Sequence, residues 1–243
     1  MDVIKSLDNK KIKSLSKLLL KKYRDEENKF LVEGEHLVEE AYKAGILLEV
    51  IMCEGYNAKY DVPVTFVTYD VIKKLSNTIN PQKIIGVCCK LEKEVLGNKI
   101  LILDDIQDPG NLGTIIRSSV AFGVDTIVLS ANTVDIYNDK VLRSSEGMVF
   151  HINFIRDELI CFIDKLHDNG YKVYATKVDG GNSVRNITFG NKVAIVMGNE
   201  GSGVKKDIIN ICDDYLYIPM NNICESLNVG VATSIILYEM FNR

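Results

Sequence analysis

Residues 100–124 read ILILDDIQDPGNLGTIIRSSVAFGV, an apolar strand that stops at two aspartates, breaks at Pro109 and Gly110, and resumes with helical spacing. Asn111 is placed to cap that helix, and Leu112, Ile115, Ile116 and Val120 give it one inward face. A strand running directly into a helix is the building unit of an α/β sheet. Downstream, the runs TIVLS (126–130), VFHINFI (149–155), YKVYAT (171–176), VAIVMG (193–198) and YLYIP (215–219) also read as strands, with helices expected near 111–123, 157–169 and 203–211. That alternation predicts a mostly parallel sheet covered on both faces. The last helix, about 227–241, is apolar around much of its circumference, as a helix buried on more than one side would be. It is either a central core helix or one at a subunit interface.

Upstream the alternation is denser. Residues 10–23 carry Ile12, Leu15, Leu18 and Leu19 among lysines and read as one amphipathic helix. Strands are expected at 30–34, 47–53, 64–68 and 84–92, with helices at 36–45 and 69–77. The charged segment Glu92–Lys99, which contains Gly97, reads as a linker. The expected organisation is therefore a small α/β domain over 1–92 and a larger one over 100–243.

Composition narrows the function classes. Forty-seven per cent apolar residues, only four prolines and no low-complexity tract describe a globular chain. The opening MDVIKSLDNKKIKSL lacks the basic-then-apolar order of a secretion signal, and no later run is long enough to span a bilayer, so a cytoplasmic protein without membrane partners is expected. Six cysteines without a C-x-x-C pair, and only three histidines, predict buried reduced thiols and no metal site. The net charge of −4 conceals an asymmetry: residues 1–24 hold eight cations, Lys10, Lys11 and Lys13 among them, against Asp2 and Asp8. That stretch is either a phosphate-facing surface or an ordinary solvated helix face.

Two more segments carry chemistry. VAIVMGNEGSGV (193–204) runs from a strand into Gly198, Gly201 and Gly203, a spacing that fails the dinucleotide fingerprint and lacks the P-loop lysine. Asn199 and Glu200 within the turn are placed to offer an amide and a carboxylate to a ligand. YIPMNNICESLNVGVATSIILYE (217–239) ends a strand at Ile218 and Pro219, and Ser226 or Glu225 stands near the start of the final helix with Asn228 in its first turn.

Taken together and in this order, DPGNLGTIIR, MGNEGSG and IPM with ESLNV resemble the three motifs of the SpoU/TrmH family of RNA 2′-O-ribose methyltransferases, within the SPOUT superfamily. The segment before residue 90 resembles the small ribosomal-protein-like substrate domain found in front of members acting on ribosomal RNA. The resemblance implies a parallel sheet with a C-terminal trefoil knot, a homodimer, no metal, and methyl transfer from S-adenosylmethionine to a ribose 2′-hydroxyl, with large-subunit (23S) ribosomal RNA as the expected substrate. A transfer-RNA methyltransferase and a catalytically silent ribosome assembly factor are the alternatives. Carried over position by position, the resemblance implies a cofactor pocket of Met197, Gly198, Gly201, Ile218, Pro219, Met220, Leu227, Asn228 and Val229. It implies Asn111, Arg117, Glu200, Ser226 and Asn228 at the catalytic centre and RNA contacts at Arg117 and Arg143; the charge of the N-terminal stretch adds Lys10, Lys11 and Lys13 as expected RNA contacts. A guanidinium with a pKa above about 12 makes a poor base, so Arg117 is expected to clamp phosphate and stabilise developing alkoxide charge. Gly230, where many relatives carry serine, and Glu146, where an uncharged residue is expected, depart from the pattern.

Overall fold

The computed structural model describes residues 3–56, 59–91, 95–178, 180–221 and 223–242. The chain is gathered into two compact units, Met1–Glu92 with Asp135–Phe150, and Lys93–Val134 with His151–Arg243. Of the linker expected at Glu92–Lys99, residues 92–94 lie outside the described residues.

The first unit contains β1 (Val3–Ile4), α1 (Lys10–Lys17), α2 (Lys21–Glu27), β2 (Lys29–Glu33), α3 (Glu35–Lys43), β3 (Leu47–Cys53), β4 (Val64–Val67), α4 (Tyr69–Lys74) and β5 (Ile84–Cys89). Its sheet has the order β1-β4-β3-β5-β2, in which β5 is antiparallel to both neighbours and the other pairs are parallel. Ile12 from α1 and Val71 and Ile72 from α4 are fully buried against Ile51 and Ile85 of the sheet.

The single helix expected over 10–23 is two helices, because Leu20 is extended (φ −101°, ψ 133°). Arg24 accounts for the break. It is only 6% exposed, and one guanidinium nitrogen donates to the carbonyls of Leu18 and Leu19 at 3.0 and 2.9 Å. Its Nε and Nη2 donate to Asp135 Oδ2 at 3.1 and 2.7 Å. A continuous helix would direct those carbonyls to backbone N–H groups four residues on, so ending α1 early leaves them for the buried cation.

The second unit begins with β6 (Lys99–Leu103), α5 (Pro109–Ala121) and β7 (Thr126–Leu129). After α6 (Asp139–Ser144), which belongs to the first unit, come β8 (Asn153–Arg156), α7 (Leu159–Asp168), β9 (Lys172–Thr176), β10 (Asn182–Ser183), β11 (Val193–Met197), α8 (Lys206–Ile211), β12 (Asp214–Tyr217) and α9 (Val229–Phe241). The seven strands are all parallel, in the order β10-β12-β9-β11-β6-β7-β8. Every residue of β7 and β11 is buried, which suits continuous apolar runs covered on both faces. The strand order reverses between β6 and β11, and such a reversal opens a crevice at the carboxyl ends of the strands.

Several expectations are corrected. The first part of VFHINFI forms a 3-10 turn at Met148–His151, and only Asn153–Arg156 is strand. Gly147 at φ +76° turns the chain there, and the Phe150 ring packs 6.0 Å from that of Phe30 within the first unit. Helix α9 buries Val229, Thr233, Ile236, Leu237 and Met240 but leaves Val231, Tyr238 and Phe241 about half exposed. Cys53 and Cys88 are buried as expected, whereas Cys161 and Cys224 are exposed. Among the described residues no helix is long and apolar enough to cross a membrane.

Candidate functional site

Loops leaving the carboxyl ends of β6, β11 and β12 carry the three motifs. After β6 the chain turns sharply: Asp105 is left-handed at φ +58°, and its carboxylate accepts from Ser130 Oγ and Lys205 Nζ, both at 2.7 Å. Burial alone would raise the Asp105 pKa, but the hydrogen bonds from Lys205, Ser130 and Asn132 outweigh it and hold the carboxyl below its ordinary range. Helix α5 then starts with Pro109 at its first position, and its cap is Asp108, which accepts from Asn111 N at 2.9 Å. The sequence pointed to Asn111 as the cap. Relieved of that task, the Asn111 side chain donates to Glu200 Oε1 at 3.1 Å and accepts from Asn228 Nδ2 at 2.9 Å.

The turn after β11 is closed on itself. Asn199 and Gly203 exchange backbone hydrogen bonds at 3.1 and 3.0 Å, and a Cβ on Gly198 would lie 2.0 Å from the Gly203 carbonyl carbon, so only glycine fits. Asn199 Oδ1 accepts from the backbone of Gly201 and Ser202 at 3.0 and 3.2 Å, while its Nδ2 donates to Asp105 O at 2.8 Å. The Glu200 carboxylate accepts Asp108 N at 3.0 Å and Asn111 Nδ2 at 3.1 Å on one oxygen. Its other oxygen accepts Gln107 N and Asn199 Nδ2, both at 3.3 Å. The amide and carboxylate that the sequence offered to a ligand hold two loops together, and both residues also line the cavity formed there.

After β12, residues 218–228 lead into α9, whose cap is Asn228: its Oδ1 accepts from Gly230 N and Val231 N at 2.9 and 3.3 Å. Ser226, the candidate cap from sequence, stands two residues earlier. Between these loops and the end of β9 lies a cavity of about 220 Å³. Met197, Gly198, Glu200, Gly201, Ile218, Met220, Ser226, Leu227 and Val229 line it; Pro219 and Asn228 do not. Sequence reading missed Thr176, Lys177 and Val178 at the end of β9, and Leu216, Ala232 and Ile236. Their presence follows from β9 lying between β11 and β12, an order that periodicity along the chain does not carry.

Arg117 is exposed on α5 and makes no hydrogen bond or ion pair among the described residues, about 9 Å along the helix axis from Asn111. The remaining candidates belong to the first unit. Arg143 pairs with Asp139 at 2.9 Å, Lys13 with Asp8 at 2.9 Å, and Lys11 with Glu49 and Thr65 Oγ1, whereas Lys10 is exposed without a partner among the described residues. Among the described residues there is no group of three or more His, Cys, Asp or Glu side chains that could hold a metal ion.

A model of the SpoU rRNA methylase family matches residues 98–238, and a model of the MRM3-like substrate binding domain matches residues 9–86. The 23S rRNA (guanosine(2553)-2′-O)-methyltransferase RlmP of Bacillus subtilis is 40% identical over 99% of both chains. A solved rRNA methyltransferase from Sinorhizobium meliloti superimposes with a TM-score of 0.88, at 29% identity over 99% of this chain and 97% of that one. Its AdoMet-bound structure gives 0.87 with the same coverage.

Proposed function

The chain belongs to the SpoU rRNA methylase family, and on that basis we propose that it transfers a methyl group from S-adenosylmethionine to a ribose 2′-hydroxyl of large-subunit ribosomal RNA. The observation that carries this reading is the cavity at the carboxyl ends of β9, β11 and β12, with the Asn111–Glu200 and Asn111–Asn228 hydrogen bonds beside it. Its residues fit the cofactor. Leu216, Ile218, Leu227 and Ile236 offer apolar walls to an adenine ring, and the turn at Gly201 is open, since a Cβ there would meet only Asn199 Oδ1, at 3.7 Å.

S-adenosylmethionine supplies, when bound, a methyl group on a sulfonium and a neutral thioether as leaving group. The protein must then align the ribose oxygen, relieve it of its proton and stabilise the charge that develops. Arg117, with no competing carboxylate, clamps a backbone phosphate and stabilises the incipient alkoxide, and that phosphate or a water accepts the proton. Glu200 has its acceptor positions filled and acts as a positioning residue. Ser226, on the cavity wall, and Asn228, held by Asn111, orient the reacting groups.

In the same reading the first unit, built on residues 1–92, grips the RNA, with Lys10, Lys11, Lys13 and Arg143 as contacts. The C-terminal loops form the trefoil knot of the family, and the ribosomal substrate makes the protein cytoplasmic. The half-exposed Val231, Tyr238 and Phe241 of α9 supply the surface of a homodimer.

The test is methyl transfer from radiolabelled S-adenosylmethionine to ribosomal RNA from cells lacking the gene, with 2′-O-methylated positions mapped afterwards. Arg117→Ala is expected to lose activity by about a hundredfold or more with cofactor affinity intact, and Arg117→Lys to retain part of it. Full turnover by Arg117→Ala would sink the assignment.

A further inference from the structure

A second cavity lies within the first unit, separate from the loops that bear the three motifs. It measures about 100 Å³ and is floored by Leu31, Leu75, Ile85 and Leu142. Its polar lining includes Asn77, Asn138, Arg143, Glu33 and Asp139. We propose that it receives one unpaired nucleobase of the RNA substrate. The proposal rests on the RNA methyltransferase reading above and names a specificity site for it.

Charge and size select this ligand. The acidic Glu33 and Asp139 stand against the basic Arg143, and the other cation of the lining, Arg24, is already paired with Asp135, so an anion such as a phosphate gains little there, whereas a neutral planar group rich in donors and acceptors is matched. The volume is below the roughly 300 Å³ at which pockets for drug-sized molecules begin. An apolar floor with polar groups at the edge is the arrangement that receives a splayed-out base, by stacking and by hydrogen bonds to its Watson–Crick edge.

The polar groups are available. Asn138 Oδ1 caps α6 by accepting Lys140 N at 2.9 Å, which leaves its Nδ2 without a partner among the described residues. The Asn77 amide likewise makes no hydrogen bond among them. Arg143 spends Nη1 on Asp139 at 2.9 Å and keeps its other donors.

The rim is also preformed. Glu33 gathers the loop 76–82 by accepting from Ser76 Oγ, from Thr78 Oγ1 at 2.9 Å and from Gln82 N at 2.8 Å. That loop thrusts Ile79 into solvent at 96% exposure, an apolar side chain with no packing role inside the unit but suited to lie on an adjacent base. Double-stranded RNA keeps its bases stacked and paired, so the site reads single-stranded segments.

The test uses the full chain carrying Asn77→Ala with Asn138→Ser, the serine preserving an oxygen to cap α6. Binding of fluorescein-labelled ten-residue oligomers of A, C and U, each with and without an abasic ribose, and of a ten-base-pair RNA duplex is measured by anisotropy. Calorimetry with S-adenosylmethionine and thermal melting report on fold and cofactor binding. The wild type is expected to prefer one oligomer and to lose affinity for it when a base is removed. The double variant is expected to lose about tenfold on the preferred oligomer and to flatten the ranking. Duplex and cofactor affinities should stay unchanged. A folded double variant that matches the wild type on every oligomer overturns the pocket while leaving the enzyme reading intact. A wild type that transfers no methyl group to ribosomal RNA overturns both.

Discussion

A carboxylate has about four lone-pair positions, and Glu200 has a donor at each. Burial alone would raise its pKa, but the hydrogen bonds from Asn111 and from the backbone of residues 107, 108 and 200 prevail and hold it below its ordinary value. A group whose folded pKa is depressed contributes stability that is complete above the unfolded value and is lost as pH falls through the folded one. Glu200→Gln should therefore melt below the wild type at neutral pH, and the two melting temperatures should converge on acidification below about pH 4.5. Parallel curves down to pH 3 would show that the carboxylate charge is not what holds the loops. A different strain sits at Glu146, which is left-handed at φ +52° immediately before Gly147 at +76°. Glu146→Gly should relieve about 1 kcal/mol and raise the melting temperature by roughly 2–4 °C. Its 3.6 Å contact with His36 is solvent-exposed and adds little in opposition.

Among the elements, the packing of α9 on α5 gives the unusual Gly230 a reason. A Cβ there would stand 3.2 Å from Thr114, and one turn on, Ser118 and Ser234 share a hydrogen bond at 2.6 Å. Gly230→Ala gains up to about 1 kcal/mol of helix propensity but presses on Thr114. It should stabilise the protein more in a Thr114→Ala background than in the wild type, and denaturant melts around that double-mutant cycle measure the difference. Equal effects in both backgrounds would mean that the helices part without cost. Most element identities were legible where apolar periodicity survives; α2, whose only buried residue is Arg24, and the two-residue β10 of Asn182 and Ser183 carry none and were not read. Caps were less so, since Asp108 and Asn111, or Ser226 and Asn228, are equally good capping residues by type. The choice between them is made by Asn111 bridging Glu200 and Asn228, residues far away in the chain.

For the whole molecule, the count of basic residues over 1–24 overstated the free charge. Arg24 is buried, and Lys11, Lys13, Lys21 and Lys22 pair with Glu49, Asp8, Asp25 and Glu26. If the first unit meets a phosphate backbone, Lys10→Gln should reduce the slope of log affinity against log salt by about one. Lys13→Gln should reduce it less, because Asp8 already offsets that charge; RNA titrations from 50 to 200 mM salt separate the two. Much of the candidate pocket was readable from three motifs, yet the wall contributed by the end of β9 was not, because it depends on strand order. The last consequence concerns how the chain is made and how it can be cut. Asp135, the partner of buried Arg24, is separated from it in sequence by β6, α5 and β7. At a synthesis rate of about 5–20 residues per second, the first unit waits on the order of seconds for its missing piece while part of the second has already left the ribosome. A fragment ending at residue 92 would strand that guanidinium without its carboxylate, so an excised first unit has to be stitched together with residues 135–150.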